Sequence, residues 1–146
     1  MKAPLIILCI IVGLSSSCEN ETYGPYMPPP IFTASWPCEN GIADIYPCGG
    51  YDLMSYLSLQ DLTPEGVNNG SISGNDSWGW TDPNTNKEYA LVGLSSHAAF
   101  VDISDPSLPF LLGVLPTATV NSSWRDIKVY QNHAFIVSEA PGHGMQ

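Results

Sequence analysis

From Ser77 onward, short runs of strand-forming residues alternate with polar turns. The runs are "EYALVGL" (88–94), "AAFVDIS" (98–104), "PFLLGVLP" (109–116), "WRDIKVYQ" (124–131) and "HAFIVSEA" (133–140), with Gly, Pro, Asn, Asp or Ser between them. No segment after residue 20 keeps a helical period for three turns. The pattern therefore predicts an all-β fold.

The runs also repeat. Placing Trp78 on Trp124 sets "EYALVG" (88–93) on "HAFIVS" (133–138). With one residue inserted, His97 falls on His143 and "AAF" on "GMQ". A period of about 45 residues with roughly four strands per unit is that of a β-propeller blade. In that frame "DISDP" (102–106) is the corner between the third and fourth strands, where an Asp105 carboxylate can accept from backbone N–H groups and Pro106 fixes φ. "LMSYLS" (53–58) aligns with "LLGVLP" (111–116), so "YDLMSYLSL" (51–59) is expected as a ring-closing fourth strand. The competing reading is a short helix with Leu53, Tyr56 and Leu57 on one face. The predicted architecture is a partial β-propeller of about one and a half four-stranded antiparallel blades. One blade is complete at 76–114 and the next begins near Trp124, with a disulfide loop ahead of both.

The first residues change the picture of location. "MKAPLIILCIIVGLSSSC" has one basic residue, Lys2, an apolar run from Leu5 to Leu14 and then small residues, which is the layout of a cleavable export signal. The run is too short for a permanent membrane helix. Cys9 would leave with the signal. "LSSSC" resembles a bacterial lipoprotein signal, in which Cys18 becomes the lipid-bearing N-terminus, although Leu14 sits one place farther from the cysteine than usual. Cys38 and Cys48 then remain as a pair for an oxidising compartment, in a loop whose "NG" (40–41) and "YP" (46–47) supply turn chemistry. Plain secretion with Cys18 as a free thiol is the alternative. The expected segments are a signal peptide at 1–17, a Pro-rich tether at 18–33, the cysteine loop and N-terminal strand at 34–66, and the partial propeller at 67–146.

Charge and chemistry narrow the function classes. The net charge is −10, and between Cys18 and Asn86 there is no Lys or Arg, so a phosphate backbone would be repelled and nucleic-acid binding is excluded. Sequons begin at Asn20, Asn69, Asn75 and Asn121 and matter only in a eukaryotic source. His97, His133 and His143 are the only imidazoles and lack the spacing of a tight metal site. Asp82, Asp102 and Asp105 read as turn carboxylates rather than a calcium loop. Ser95 and Ser96 beside His97 lack the Gly-x-Ser-x-Gly frame of a nucleophile elbow. No catalytic, cofactor-binding or metal residue is assigned. Arg125, Asp126 and Lys128 read as a polar network near a central channel, and Trp78, Trp80 and Trp124 as packing residues. The sharper alternative is a binding surface of Trp78, Trp80, His97, Trp124, Arg125 and His143, with the indoles stacking on sugar.

"WGWTDPNTNKEYALVG", "AAFVDISDP", "WRDIKVYQNHAFIVSEA" and the cysteine loop with "YPC" resemble the choice-of-anchor B family, whose members carry LVIVD-type propeller repeats. The resemblance covers residues 36–146. It implies an exported cell-surface propeller with no established catalytic activity and no cofactor. Because a propeller needs more blades than this, the chain is expected to be a C-terminally truncated fragment. The functional expectation is a non-enzymatic surface protein that binds a protein or glycan partner. It would touch the membrane only through its N-terminal lipid and be a monomer at full length. The alternative is an exported propeller hydrolase or metal-dependent enzyme whose site lies partly in missing blades.

Overall fold

The computed structural model describes residues 35–67 and 70–146. The export signal, Cys18, the tether and the sequons at Asn20 and Asn69 lie outside the described residues. Among those residues the chain is all-β, with eight antiparallel strands and no helix.

β1 (Ile42–Ala43) and β2 (Tyr46–Pro47) form a small hairpin inside the cysteine loop. Asn40 and Gly41 both take positive φ (54° and 82°), and Glu39 and Ile42 exchange backbone hydrogen bonds of 3.0 Å across them. This is the two-residue turn that an Asn-Gly pair favours. Tyr46 and Pro47, expected to turn, lie instead in β2, and the second turn falls on Asp44, at φ 54°, and Ile45. Cys38 and Cys48 are joined by a disulfide with a Cα–Cα distance of 5.9 Å, within the span such a bond requires.

Residues 51–59 do not form the expected strand, nor the helix that competed with it. They pair with the rest of the chain only at Leu53, which bridges Trp36. The Asp61 carboxylate accepts from the Ser58 N–H and hydroxyl at 2.7 and 2.6 Å, turning the chain where a ladder would otherwise continue. That turn carries Leu57, Leu59 and Leu62 onto one face of the large sheet, so the segment covers a sheet instead of extending one.

The large sheet is a meander of β3 (Gly74–Thr81), β4 (Glu88–Leu94), β5 (His97–Asp102) and β6 (Phe110–Pro116), paired in that order. β5 is central and buried on both faces, which suits its run of Ala, Phe and Val. One face sets Leu94, Ala99, Val101 and Leu111 against Leu62. The other sets Leu91 and Ala98 against Ile127 and Ile136 of a second, two-stranded sheet, β7 (Arg125–Tyr130) and β8 (His133–Ser138). The chain is thus layered: covering segment, four-stranded sheet, hairpin.

Two bulges shape the junctions. In β3 an extra residue separates the Gly74–Leu94 and Ser77–Val92 pairs, and the bulged Asn75 and Asp76 reach the next layer. The Asn75 amide donates to the Ser123 carbonyl (2.8 Å), and the Asp76 carboxylate accepts from the Ile127 N–H (2.8 Å). Gly93 lies beneath this bulge, where a Cβ would sit 2.5 Å from Asn75 Oδ1. In β6 the bulged residue is Leu112, pushed outward to 52% exposure.

The "DISDP" corner connects β5 to β6. Asp102 Oδ1 accepts from the Ser104 N–H (2.9 Å), and Asp105 Oδ1 accepts from the Ser107 N–H and hydroxyl (2.9 and 2.6 Å). Both carboxylates are held below their usual range, chiefly by Ser104 and Ser107 respectively. Asp102 is also almost fully buried and ion-paired with Lys87 at 3.2 Å. The corner is structural, as its residues suggest.

Candidate functional site

Three of the six residues proposed for a binding surface, His97, Arg125 and His143, are buried and form internal ties. Leu94 ends β4, and its carbonyl accepts from Arg125 Nε at 3.1 Å. Arg125 Nη1 donates to His143 Nε2 at 3.2 Å, which leaves the His143 Nδ1–H to donate to the Gly144 carbonyl at 3.0 Å. Arg125 Nη2 is buried with no hydrogen-bond partner among the described residues. Burial draws the guanidinium pKa down without a carboxylate to offset it.

His97 has the same office one layer earlier. Its Nε2 meets the Leu62 carbonyl at 2.9 Å and its Nδ1 meets the Ser96 hydroxyl at 2.9 Å. The carbonyl can only accept, so Nε2 carries the proton and Nδ1 accepts from Ser96. Desolvation lowers the His97 pKa, and the Arg125 charge adds to the effect. Ser96 and His97 are both buried, so this pair locks the covering segment to the sheet and presents no accessible nucleophile. The third imidazole, His133, donates from Nδ1 to the Gln131 carbonyl (2.7 Å) and steadies the β7–β8 turn, where Gln131 and Asn132 both have positive φ.

The exposed chemistry gathers along β3 and the outer face of β7. Asp126 and Lys128 alternate on that face, as the sequence spacing implies, and are ion-paired. The Lys128 ammonium also lies 3.8 Å from Asp76 and 4.7 Å from the centre of the Trp78 ring. Lys128 holds the Asp126 pKa below its ordinary value, while the Lys128 pKa moves up for the same reason. Trp124, 67% exposed, sits beside a shallow depression lined by Asp126, Val137 and Glu139. Two exposed indoles therefore flank a cluster of carboxylates and one ammonium. Aromatic faces with adjacent acceptors and donors suit a sugar ring or an arginine-bearing protein surface. Sequence reasoning found both indoles but missed Asp76, whose part depends on a bulge that no periodicity reveals. Trp80 stands apart, stacked on Tyr89 with ring centroids 5.4 Å apart in an apolar groove.

Among the described residues, no group of three or more His, Cys, Asp or Glu side chains is placed to hold a metal ion. Comparison of the chain with protein-family models, curated proteins and solved structures found no match in any of the three.

Proposed function

We propose that the chain is part of an exported β-propeller of choice-of-anchor B type, tethered at the cell surface through a lipid on Cys18, that binds a protein or glycan partner without chemically altering it. The observation that carries the binding role is the exposed patch of Trp78, Lys128, Asp126 and Trp124, in which aromatic faces and charged groups are presented together on one surface.

Register supports the propeller part of the reading. β4 and β8 are each the second strand of their sheet, and each leads into a buried histidine, His97 or His143. Leu91 pairs with Phe100 across β4 and β5, while Ile136 and Gln146 exchange hydrogen bonds of 3.0 and 2.9 Å at the corresponding place. The tryptophans do not follow the same rule. The position of Trp78, opposite Leu91, is taken by Ile127, opposite Ile136, because the loop after β3 is longer than the one after β7. Trp124 precedes β7 and so reaches the surface on its own terms.

The test is binding of the purified chain to a glycan panel, and cross-linking to envelope proteins, for the native sequence, Trp124→Ala and Lys128→Ala. The expected result is retention on one class of partner, weakened about tenfold by each substitution and unchanged by Phe110→Ala on the far strand. Product release from a bound partner, or binding indifferent to both patch substitutions, would overturn the reading.

A further inference from the structure

We propose that the apolar groove between the four-stranded sheet and the hairpin is a slot for one more β-strand, supplied in trans by an extended peptide with apolar residues at alternate positions. The groove encloses about 380 Å³ and its walls include Trp80, Phe100, Leu112, Val129 and Ala134.

Three observations carry this. A ladder on the free side of β8 has already begun, since Val137 bridges Met145 and Ile136 exchanges both backbone hydrogen bonds with Gln146. Along an antiparallel strand, backbone groups point to alternate sides, so the N–H and C=O of Ala134 face the same way as those of Ile136. Among the described residues nothing pairs with Ala134 on that side, and the groove opens beside it. Finally, the corresponding side of β4 shows what fits: Tyr89, two places before Leu91 as Ala134 is before Ile136, pairs there with the end of β5. β5 is an extended strand whose residues are apolar on both faces. Main-chain bonds would give such a guest its affinity, and the contact with Phe100 and Leu112 its preference for an apolar side chain. The inference stands on this edge and not on the Trp78–Trp124 patch, so either can fail alone.

The probe is a fluorescently labelled synthetic peptide, AAFVDIS, which copies residues 98–104, titrated into the full chain and followed by anisotropy. Saturable binding is expected, with a scrambled peptide of the same composition inactive. Ala134→Pro removes the one N–H that faces the slot while sparing the bonds to β7, and should weaken binding about tenfold. Leu112→Arg, at an exposed bulge where folding is little affected, should do the same by charging the wall, and it carries the test if the proline variant is misfolded. Absence of saturable binding, or equal affinity for the native chain and Leu112→Arg, would overturn the proposal. So would a dimer that Leu112→Arg dissolves, because a second copy would then be the occupant.

Discussion

β4 and β8 both alternate a large apolar residue toward the layer interface with an apolar residue on the opposite face, yet only β4 is covered twice. In the four-stranded sheet, Leu91 faces the hairpin while Ala90 and Val92 lie under the covering segment with Leu57, Leu59 and Leu62. In the hairpin, Ile136 is 1% exposed against the sheet, whereas Phe135 and Val137 on the other face remain 37% and 38% exposed. Strand pattern alone fails to account for the difference, since both faces of β8 are apolar. What separates the two strands is the presence of a neighbouring layer, and an apolar outer face on the last layer is what a stacked series of sheets would continue from.

The largest expected effect breaks that contrast residue by residue. Ile136→Ala should cost about 2–5 kcal/mol, because a buried side chain leaves a cavity at the layer interface. Phe135→Ala, next in sequence but on the open face, should cost less than about 1.5 kcal/mol, well short of what truncating a buried Phe costs. Urea unfolding of both variants checks the pair, and equal losses would mean that the two faces are equally covered.

Gly93→Ala attacks the junction instead of either layer. The new Cβ would meet Asn75 Oδ1 at 2.5 Å, and Asn75 is held by its bond to Ser123, so the bulge must shift. A loss of about 1–3 kcal/mol is expected. Asp76→Ala, which leaves the Ile127 N–H without its carboxylate acceptor, should cost about 1–3 kcal/mol and loosen β7 in hydrogen exchange before the central sheet is affected.

The alternating runs made the strands and their order legible, and the Asp-Pro and Asn-Gly pairs located the corner and the first turn. Bulges stayed hidden, because one extra residue at Asn75–Asp76 or Leu112 leaves no mark on periodicity, and those residues position the patch and the groove. The fate of 51–59 was equally hidden: its leucines fit a strand's alternation, and only the Ser58–Asp61 turn diverts them onto a sheet face. His97, Arg125 and His143 were found as a set, but their burial could not be read from residue type. Polar side chains enter the interior here only because carbonyls of Leu62, Leu94 and Gly144 meet them.

The smallest expected effect concerns pH. His97 is neutral in the fold with its pKa lowered from an ordinary value of 6.5. The unfolded chain therefore takes up a proton that the folded chain refuses once pH falls below about 6.5. The contribution of His97 is full above that pH and declines as the solution is acidified through it. Melting temperature should fall between roughly pH 7 and pH 5.5, and His97→Gln should flatten that slope. A variant with an undiminished slope would assign the titration elsewhere.

The central claim is that the hairpin lies on the four-stranded sheet as a successive layer, and methyl NOEs in the isotope-labelled chain test it most directly. The Ile127 methyl should show cross-peaks to Leu91 and Ala98, with strand-like NOEs between Ile136 and Gln146. Ile127 and Ile136 methyls that see only each other, with no contact to β4 or β5, would contradict it.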